Sequence, residues 1–159
     1  MSLVLISPAF DEGARIPPKF SRLGDNILPP LVWNGAPSDV KSYALMVEDP
    51  DAPNGTFRHC GIFDIPPDWR GLPESAQMHP GHMHPDSGPR FAENDFGNIS
   101  YDGPQPPRGH GVHHYHFRLA ALDIPSLAVP VSAGVEAMWR EARKHVLSQA
   151  ELVGTFEVH

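Results

Sequence analysis

Acidic and imidazole side chains occur close together in the segment EDPDAPNGTFRHC, which runs from Glu48 to Cys60. Asp49 and Asp51 stand on either side of a proline, and His59 follows eight residues after the second acid. A carboxylate beside an imidazole favours the protonated ring and raises the pKa of the histidine above its reference value of about 6.5. A protonated ring can donate a charge-assisted hydrogen bond to an anion. The segment therefore indicates an anion site in which the acids charge and orient the donors, with Asp49 holding either His59 or the later His113 as a cationic ring.

A second group of polar rings lies in the segment GHGVHHYHF, where His113 and Tyr115 are two residues apart. The stretch YDGPQPPRGHG runs directly into it. Its glycines allow close backbone approach to a ligand, and its prolines stiffen the chain. Arg108 would add positive charge at the mouth of a pocket formed here. The chain contains neither of the glycine-rich motifs that cradle nucleotide phosphates, so a nucleotide-binding fold has no support.

Two-residue periodicity predicts that both groups lie on β-strands, at residues 42–49, 59–65 and 112–122. On one face of each strand, the side chains are apolar except at one end, where they are polar. These faces consist of Tyr43, Leu45, Val47 and Asp49 on the first strand, His59, Gly61, Phe63 and Ile65 on the second, and His113, Tyr115, Phe117 and Leu119 on the third. If the strands are neighbours, these polar groups line one pocket at the rim of the core. An unpaired buried polar group costs about 1–3 kcal/mol, so they must pair with each other or bind a ligand.

The remaining pattern predicts a mainly β fold in a single domain spanning residues 1–159. The other expected elements are short strands at Leu3 to Ile6 and Leu31 to Trp33, a helix from about Ala133 to Gln149 that stops at Gly154, and a final strand from Thr155 to Val158. The 159 residues include 19 prolines and 14 glycines. Because proline is excluded from helix interiors and central strands, ordered loops and turns must be abundant.

The composition limits the classes of binding partner and the cellular compartments that we expect. A net charge of −7 and a sequence pI near 5.7 argue against nucleic-acid binding, which needs clustered Lys and Arg. The single cysteine, Cys60, allows no disulfide within the chain and suits a reducing compartment. The N-terminal segment MSLVLISPAFDEG lacks the basic region of a signal peptide, and no window approaches the roughly 20 apolar residues of a membrane span. We therefore expect a cytoplasmic protein.

Metal binding is the alternative to an anion pocket. Asp49, His59 and His113 could form a triad of two histidines and a carboxylate, which suits Zn or Fe(II) and would make the chain a metal-dependent hydrolase or oxygenase. Such a triad does not explain Tyr115 or the glycine–proline loop, so we favour the anion pocket and expect no cofactor. The histidines of HPGHMHP, residues 79–85, lack a Cys or carboxylate partner at fixed spacing, which favours a solvated loop.

These motifs together resemble the phosphatidylethanolamine-binding protein family, and most closely its prokaryotic branch, the Raf kinase inhibitor-like proteins. The resemblance rests on DPDAP, on a histidine that opens the next apolar strand, and on Y-x-G-x-x-P-P and G-x-H-x-Y. It extends to GDNILPPLVWNGAP, ENDFG and AELVGTFEV, and so covers nearly the full length. Two positions depart from the family pattern. His114 stands where the family usually has Arg, and Gln105 stands where the prokaryotic branch often has Cys.

The resemblance implies a fold and a set of pocket residues. The fold is a large central antiparallel β-sheet packed on a smaller sheet, with peripheral helices including one near the C-terminus. The pocket takes phosphate-like and carboxylate-like groups, and the matching motifs assign to it Asp49, Asp51, His59, Gly103, His113 and Tyr115. The residues expected at its rim are Phe57, Gln105 and Arg108. Analogy with relatives also suggests a homodimer.

The function expected from these features is binding rather than catalysis. The first hypothesis is a soluble, non-enzymatic protein that recognises a phosphorylated or carboxylated group on a metabolite, headgroup, peptide or protein. The second is a regulatory protein whose pocket mouth and 72–92 loop dock a protein kinase or protease. The third is the metal-dependent enzyme built on the triad described above.

Overall fold

The described part of the chain consists of two antiparallel sheets and one α-helix. The computed structural model describes residues 2–74 and 89–159. In chain order its elements are β1 (Val4–Ile6), β2 (Leu31–Asn34), β3 (Ser42–Asp49), β4 (Phe57–Ile65), β5 (Gly71–Leu72), β6 (Arg90–Phe91), β7 (His113–Leu122), α1 (Val135–Ala142) and β8 (Val146–Phe156). Short 3-10 helices lie at Pro18–Phe20, Val131–Ala133 and Arg143–His145. Within these residues no helix combines the length and the hydropathy that a membrane crossing requires.

The three strands predicted to carry the site are neighbours in the larger sheet. That sheet has the order β6-β4-β3-β7-β8, and the smaller sheet has the order β1-β2-β5. β3 runs antiparallel to both β4 and β7. Its last residue, Asp49, therefore lies beside the first residues of those two strands, which include His59 and His113. The topology places the polar ends of three strands at one edge of the sheet.

The larger sheet has one buried face and a second face that is covered only in part. One face packs on the smaller sheet, where the ring centroids of Trp33 in β2 and Tyr43 in β3 are 5.3 Å apart. The opposite face is covered by α1, whose Val135 and Met138 pack closely over Gly61 of β4. The predicted mainly β fold, with a large sheet on a smaller one and a helix near the C-terminus, is confirmed.

Alternation along β4 is interrupted at His59. In the pairing with β3, Glu48 lies opposite Arg58 and Val47 lies opposite Cys60, so that His59 is an extra residue on the longer strand. This arrangement is a β-bulge, which bends the strand and changes the direction of the side chains around it. The bulge is the local reason why His59 faces the cavity described below.

The predicted common face of β4 is wrong because of this bulge and a second one. Gly61 and Phe63 face α1, whereas Ile62 and Ile65 belong to the core between the sheets. The second shift in register lies near Asp64, whose φ of 59° is in the left-handed region. A strict two-residue period cannot describe a strand that contains two extra residues.

The C-terminal helix is shorter than predicted, and the last strand is longer. α1 ends at Ala142, and β8 begins at Val146 and pairs with β7 along its length. The apolar side chains after Ala142 fit a helical period and a strand period equally well, and strand pairing decides between them. Leu152 and Phe156 of β8 are buried in the core between the sheets.

Gly154 lies inside β8 and does not end a helix. A Cβ at this position would be 2.5 Å from Cγ1 of Ile16 and 2.8 Å from Cε2 of Phe10. The glycine therefore allows the N-terminal loop to pack directly on the strand.

The same loop pairs with the outer edge of β8. The backbone N–H of Gly13 donates to the carbonyl of Val153 at 2.7 Å, and that of Ile16 donates to the carbonyl of Thr155 at 2.8 Å. Residues 13–16 thus cover the C-terminal part of this edge strand.

Candidate functional site

The polar ends of β3, β4 and β7 meet around a cavity of about 440 Å³. Asp49, His59, His113 and Tyr115 all line it, and each has at most 4% of its surface exposed. The volume lies within the range of about 300–1,000 Å³ that is typical of small-molecule sites. The rest of the wall comes from residues 52–57, 95–96 and 105–107. The structure therefore brings together four of the residues that the sequence singled out.

Asp49 fixes His113 through a short hydrogen bond. Nδ1 of His113 lies 2.6 Å from Oδ2 of Asp49, and the other carboxylate oxygen accepts the backbone N–H of Asp51 at 2.8 Å. Because an ionised carboxylate can only accept, His113 carries a proton on Nδ1. Nε2 of His113 lies 2.6 Å from Nδ1 of His110. Both nitrogens of this buried ring therefore have partners within the protein.

His59 is held by the backbone. Its Nδ1 donates to the carbonyl oxygen of Asp102 at 2.8 Å, since a carbonyl can only accept. The prediction that a nearby acid raises the pKa of this histidine is wrong. Burial lowers the pKa of His59, and the opposing effects of the Asp102 carbonyl and of the Asp49 carboxylate are smaller. The ring is therefore neutral at pH 7, with a lone pair on Nε2.

The carbonyl that holds His59 belongs to the buried residue Asp102. The carboxylate of Asp102 accepts hydrogen bonds from the side-chain amides of Asn26, Asn94 and Asn98, at 2.8–2.9 Å. This network fixes the loop that carries the acceptor and so fixes the tautomer of His59. The sequence reasoning missed Asp102, because a loop residue shows no periodic pattern.

Aromatic rings form the wall next to His59. The centroid of Phe57 lies 5.0 Å from that of His59 and 4.7 Å from that of Phe96. Tyr115 contacts His59 edge-on at 5.3 Å, and the guanidinium of Arg22 stacks over Phe96 at 4.1 Å. Phe57 was predicted at the rim, whereas Phe96 was not. These rings offer apolar surface to a ligand larger than a bare ion.

The pocket carries no permanent positive charge. Among the described residues of its wall there is no Lys or Arg, and the acids are Asp49 and Asp95. Burial, and next the carboxylate of Asp49, raises the pKa of Tyr115 above its ordinary value, so its hydroxyl stays protonated. Any favourable contact with an anion here must therefore come from hydrogen-bond donors: imidazole, phenol, side-chain amide or backbone N–H groups of the wall.

Asp51 is not among the residues that line the cavity. Its carboxylate accepts the backbone N–H of His114 and also bonds Nδ1 of that ring, both at 2.8 Å. The side-chain hydrogen bond is the main reason why the pKa of Asp51 is lowered. His114 is half-exposed and lies outside the pocket, as alternation predicted.

Gly103 and Arg108 also lie away from the wall. The N–H of Gly103 donates to Asn26 at 2.7 Å, and a Cβ there would collide with the carbonyl oxygen of Phe20. Arg108 donates to the backbone carbonyl of His159. Of the predicted rim residues, Phe57 and Gln105 do line the cavity.

The residues considered as a metal triad do not form one. No three His, Cys, Asp or Glu side chains in residues 2–74 and 89–159 are placed to hold a metal ion. Nδ1 of His59 and both nitrogens of His113 already have protein partners. The histidines at 79–85 lie outside the described residues.

Fold and pocket together define a class of protein. It is a mainly β domain of two packed antiparallel sheets, with a buried group of Asp, His and Tyr side chains around a ligand-sized cavity at the ends of the central strands.

Known sequences identify the family within this class. The family model described as phosphatidylethanolamine-binding protein matches residues 6–157, and the chain belongs to this family. The UPF0098 protein of Methanothermobacter thermautotrophicus is 42% identical over 152 residues, which cover 93% of this chain and 94% of that protein. LppC of Mycobacterium tuberculosis, which is named a lipoprotein, is 39% identical over 155 residues, covering 98% of this chain and 72% of that protein.

Solved structures agree with this assignment. CT736 of Chlamydia trachomatis, described as a homolog of phosphatidylethanolamine-binding protein, superimposes with a TM-score of 0.85 at 32% identity over 99% of both chains. YbcL of E. coli, described as a member of the mammalian family, superimposes with a TM-score of 0.92 at 26% identity over the full length of both chains. The family resemblance predicted from the motifs is confirmed.

Proposed function

We propose that the chain is a non-enzymatic binding protein whose pocket takes a small oxyanion, a phosphate or carboxylate group carried by a metabolite, headgroup, peptide or protein. The observation that carries the proposal is the tethering of His59. Because Asp102 engages Nδ1, Nε2 is left as the remaining polar atom of a buried ring on the cavity wall. The hydroxyl of Tyr115, whose proton bonds the carboxylate of Asp49, stands on the same wall. A ligand with a phosphate group also fits the description of the matching family.

Anion binding at His59 requires a proton. Nε2 of the neutral ring can only accept, so an oxyanion must bring a proton or bind after the ring has taken one from solvent. By linkage, the affinity for an anion of fixed charge then rises as pH falls, by up to about tenfold per pH unit above the pKa of His59. Because burial lowers this pKa, the rise continues below pH 6.5.

The proposal is tested by titration calorimetry with acetate between pH 5.5 and 8, in two buffers with different heats of ionisation. The buffer difference measures proton uptake directly, and about one proton per bound acetate is expected. His59→Gln keeps an N–H for the carbonyl of Asp102 but cannot be protonated, so it is expected to bind acetate weakly and without this pH dependence.

His114→Gln is the matched control, because His114 lies on the exposed side of the same sheet edge. It is expected to bind acetate like the unmodified chain. Binding that does not change with pH, or that survives His59→Gln at full strength, would remove the proposed function.

A further inference from the structure

His113 lines the cavity without a free nitrogen. Asp49 engages its Nδ1 and His110 engages its Nε2, each at 2.6 Å. One of the two facing nitrogens, Nε2 of His113 or Nδ1 of His110, donates its proton to the other. A ligand oxygen therefore has no hydrogen-bonding atom on His113 while His110 keeps this position.

Among residues 2–74 and 89–159, few contacts hold His110 itself in place. The residue is exposed and is not part of the cavity wall. Besides its bond to His113, its backbone N–H donates to the carbonyl of Pro107 at 3.1 Å. Gly109 and Gly111 flank it with φ of 72° and 91°, and a Cβ at either glycine would have no neighbour within 4 Å. A change of backbone angles at Gly111 meets no packed atom, whereas one at Gly109 must keep or break the bond from its N–H to the carbonyl of Val158, at 2.8 Å.

We propose that His110 is an internal competitor, which occupies Nε2 of His113 until an acidic ligand displaces it. This inference rests on the proposed function. When the ring of His110 swings away, Nε2 of His113 loses its partner, and His113 lines the same cavity as His59. A carboxylate or phosphate group has oxygens for both rings. The bond to Asp49 keeps a proton on Nδ1 of His113. Nε2 of His113 then accepts from the O–H of a protonated ligand or, once Nε2 is itself protonated, donates to the ligand anion.

Competition of this kind lowers the apparent affinity. The ligand binds only to the fraction of molecules in which His110 is displaced. Its apparent dissociation constant is therefore the intrinsic dissociation constant divided by that fraction. One hydrogen bond between neutral groups corresponds to about a 3- to 10-fold change in an equilibrium constant. Removing the ring of His110 should therefore tighten binding by about this factor.

The test compares His110→Ala with His114→Ala, a second exposed histidine near the same sheet edge. Calorimetry with acetate and with inorganic phosphate at pH 6 is expected to show 3- to 10-fold tighter binding by His110→Ala and no change in His114→Ala. Equal or weaker binding by His110→Ala, with the unmodified chain still binding, overturns the competitor role and leaves the proposed function standing. If neither the unmodified chain nor His110→Ala binds either anion, both proposals fail.

Ring nitrogen NMR provides a second readout on the unmodified chain. As acetate is added, the Nδ1 signal of His110 is expected to move to the position of a solvent-exposed ring, in step with the signals of His59. A His110 signal that stays unchanged while those of His59 move overturns the displacement.

Discussion

At His59 two electrostatic effects oppose each other. Asp49 and the carbonyl of Asp102 favour the protonated ring, yet the loss of solvation around a ring that is 4% exposed is larger. The sequence places an acid near this histidine but does not give the depth at which the ring is buried. The direction of the pKa shift is therefore a property of the fold, and the predicted cationic donor is a neutral acceptor.

Asp102 holds the ring of His59 through its backbone carbonyl, and its own carboxylate is bonded by side-chain amides. Asp102→Ala removes the acceptor shared by the amides of Asn26, Asn94 and Asn98, and leaving a buried donor unpaired costs about 1–3 kcal/mol. We expect the free energy of unfolding in urea to fall by about 2–4 kcal/mol. Asp25→Ala changes an exposed acid of the neighbouring segment and should cost less than about 0.5 kcal/mol. Losses of equal size in the two variants would contradict the network.

Three of the predicted pocket residues lie on regular strands, whereas His59 lies at the bulge of β4. Asp49, His113 and Tyr115 each stand at one end of an apolar row, so alternation alone places them at the rim of the core. His110 and Phe96 lie in loops, and the tertiary path of the chain brings them to the site. A periodic pattern carries no information about such positions.

Among the elements, β4 and β8 show the limits of periodicity. β4 contains two extra residues, and a single shift in register reverses the faces of all residues that follow. The segment after α1 contains apolar residues compatible with either period, and only pairing with β7 makes it a strand. β3 and β7 are regular along the described faces, and alternation predicted both correctly.

Gly154 allows a test at this scale. Gly154→Ala would place a methyl group 2.5 Å from the buried side chain of Ile16, and overpacking of this kind typically costs about 1–3 kcal/mol. We expect a loss of that size in the free energy of unfolding, measured by chemical denaturation. Gln149→Ala, at an exposed position of β8, should change it by less than about 0.5 kcal/mol. A neutral Gly154→Ala would show that the N-terminal loop does not pack on β8 as described.

For the whole molecule, the neutral His59 links stability to pH. Its pKa is lower in the folded chain than in the unfolded chain, so the unfolded chain takes up a proton first as pH falls. Stability is therefore full above about pH 6.5 and is lost below it, by up to about 1.4 kcal/mol per pH unit. The melting temperature is expected to fall less steeply between pH 7.5 and 5 in His59→Gln than in the unmodified chain.

His114→Gln should follow the unmodified chain in the same scans. Saturating acetate should reduce the fall in the melting temperature of the unmodified chain at low pH, because a ligand that binds the folded state stabilises it. Parallel curves for His59→Gln and the unmodified chain would show that the ring does not resist protonation.

The order of the strands could not be read from alternation. Periodicity identifies which residues face the core, but it does not show that β3 pairs with β7, which begins more than 60 residues further along the chain. The sequence makes adjacency of the three strands only a condition for a shared pocket, and the family resemblance implies a large central antiparallel sheet without the order of its strands. The depth of the pocket and the position of the 101–111 loop depend on packing between distant segments and required the structure.

β8 is the outermost strand of the larger sheet, and residues 13–16 lie along its free side. If proteolysis removed that segment, the carbonyl of Val153 and both the amide and the carbonyl of Thr155 would be open to solvent. An edge of this kind is a template on which another copy of the chain can add as a further strand. The N-terminal loop therefore blocks strand addition along this part of β8, independently of any ligand in the pocket.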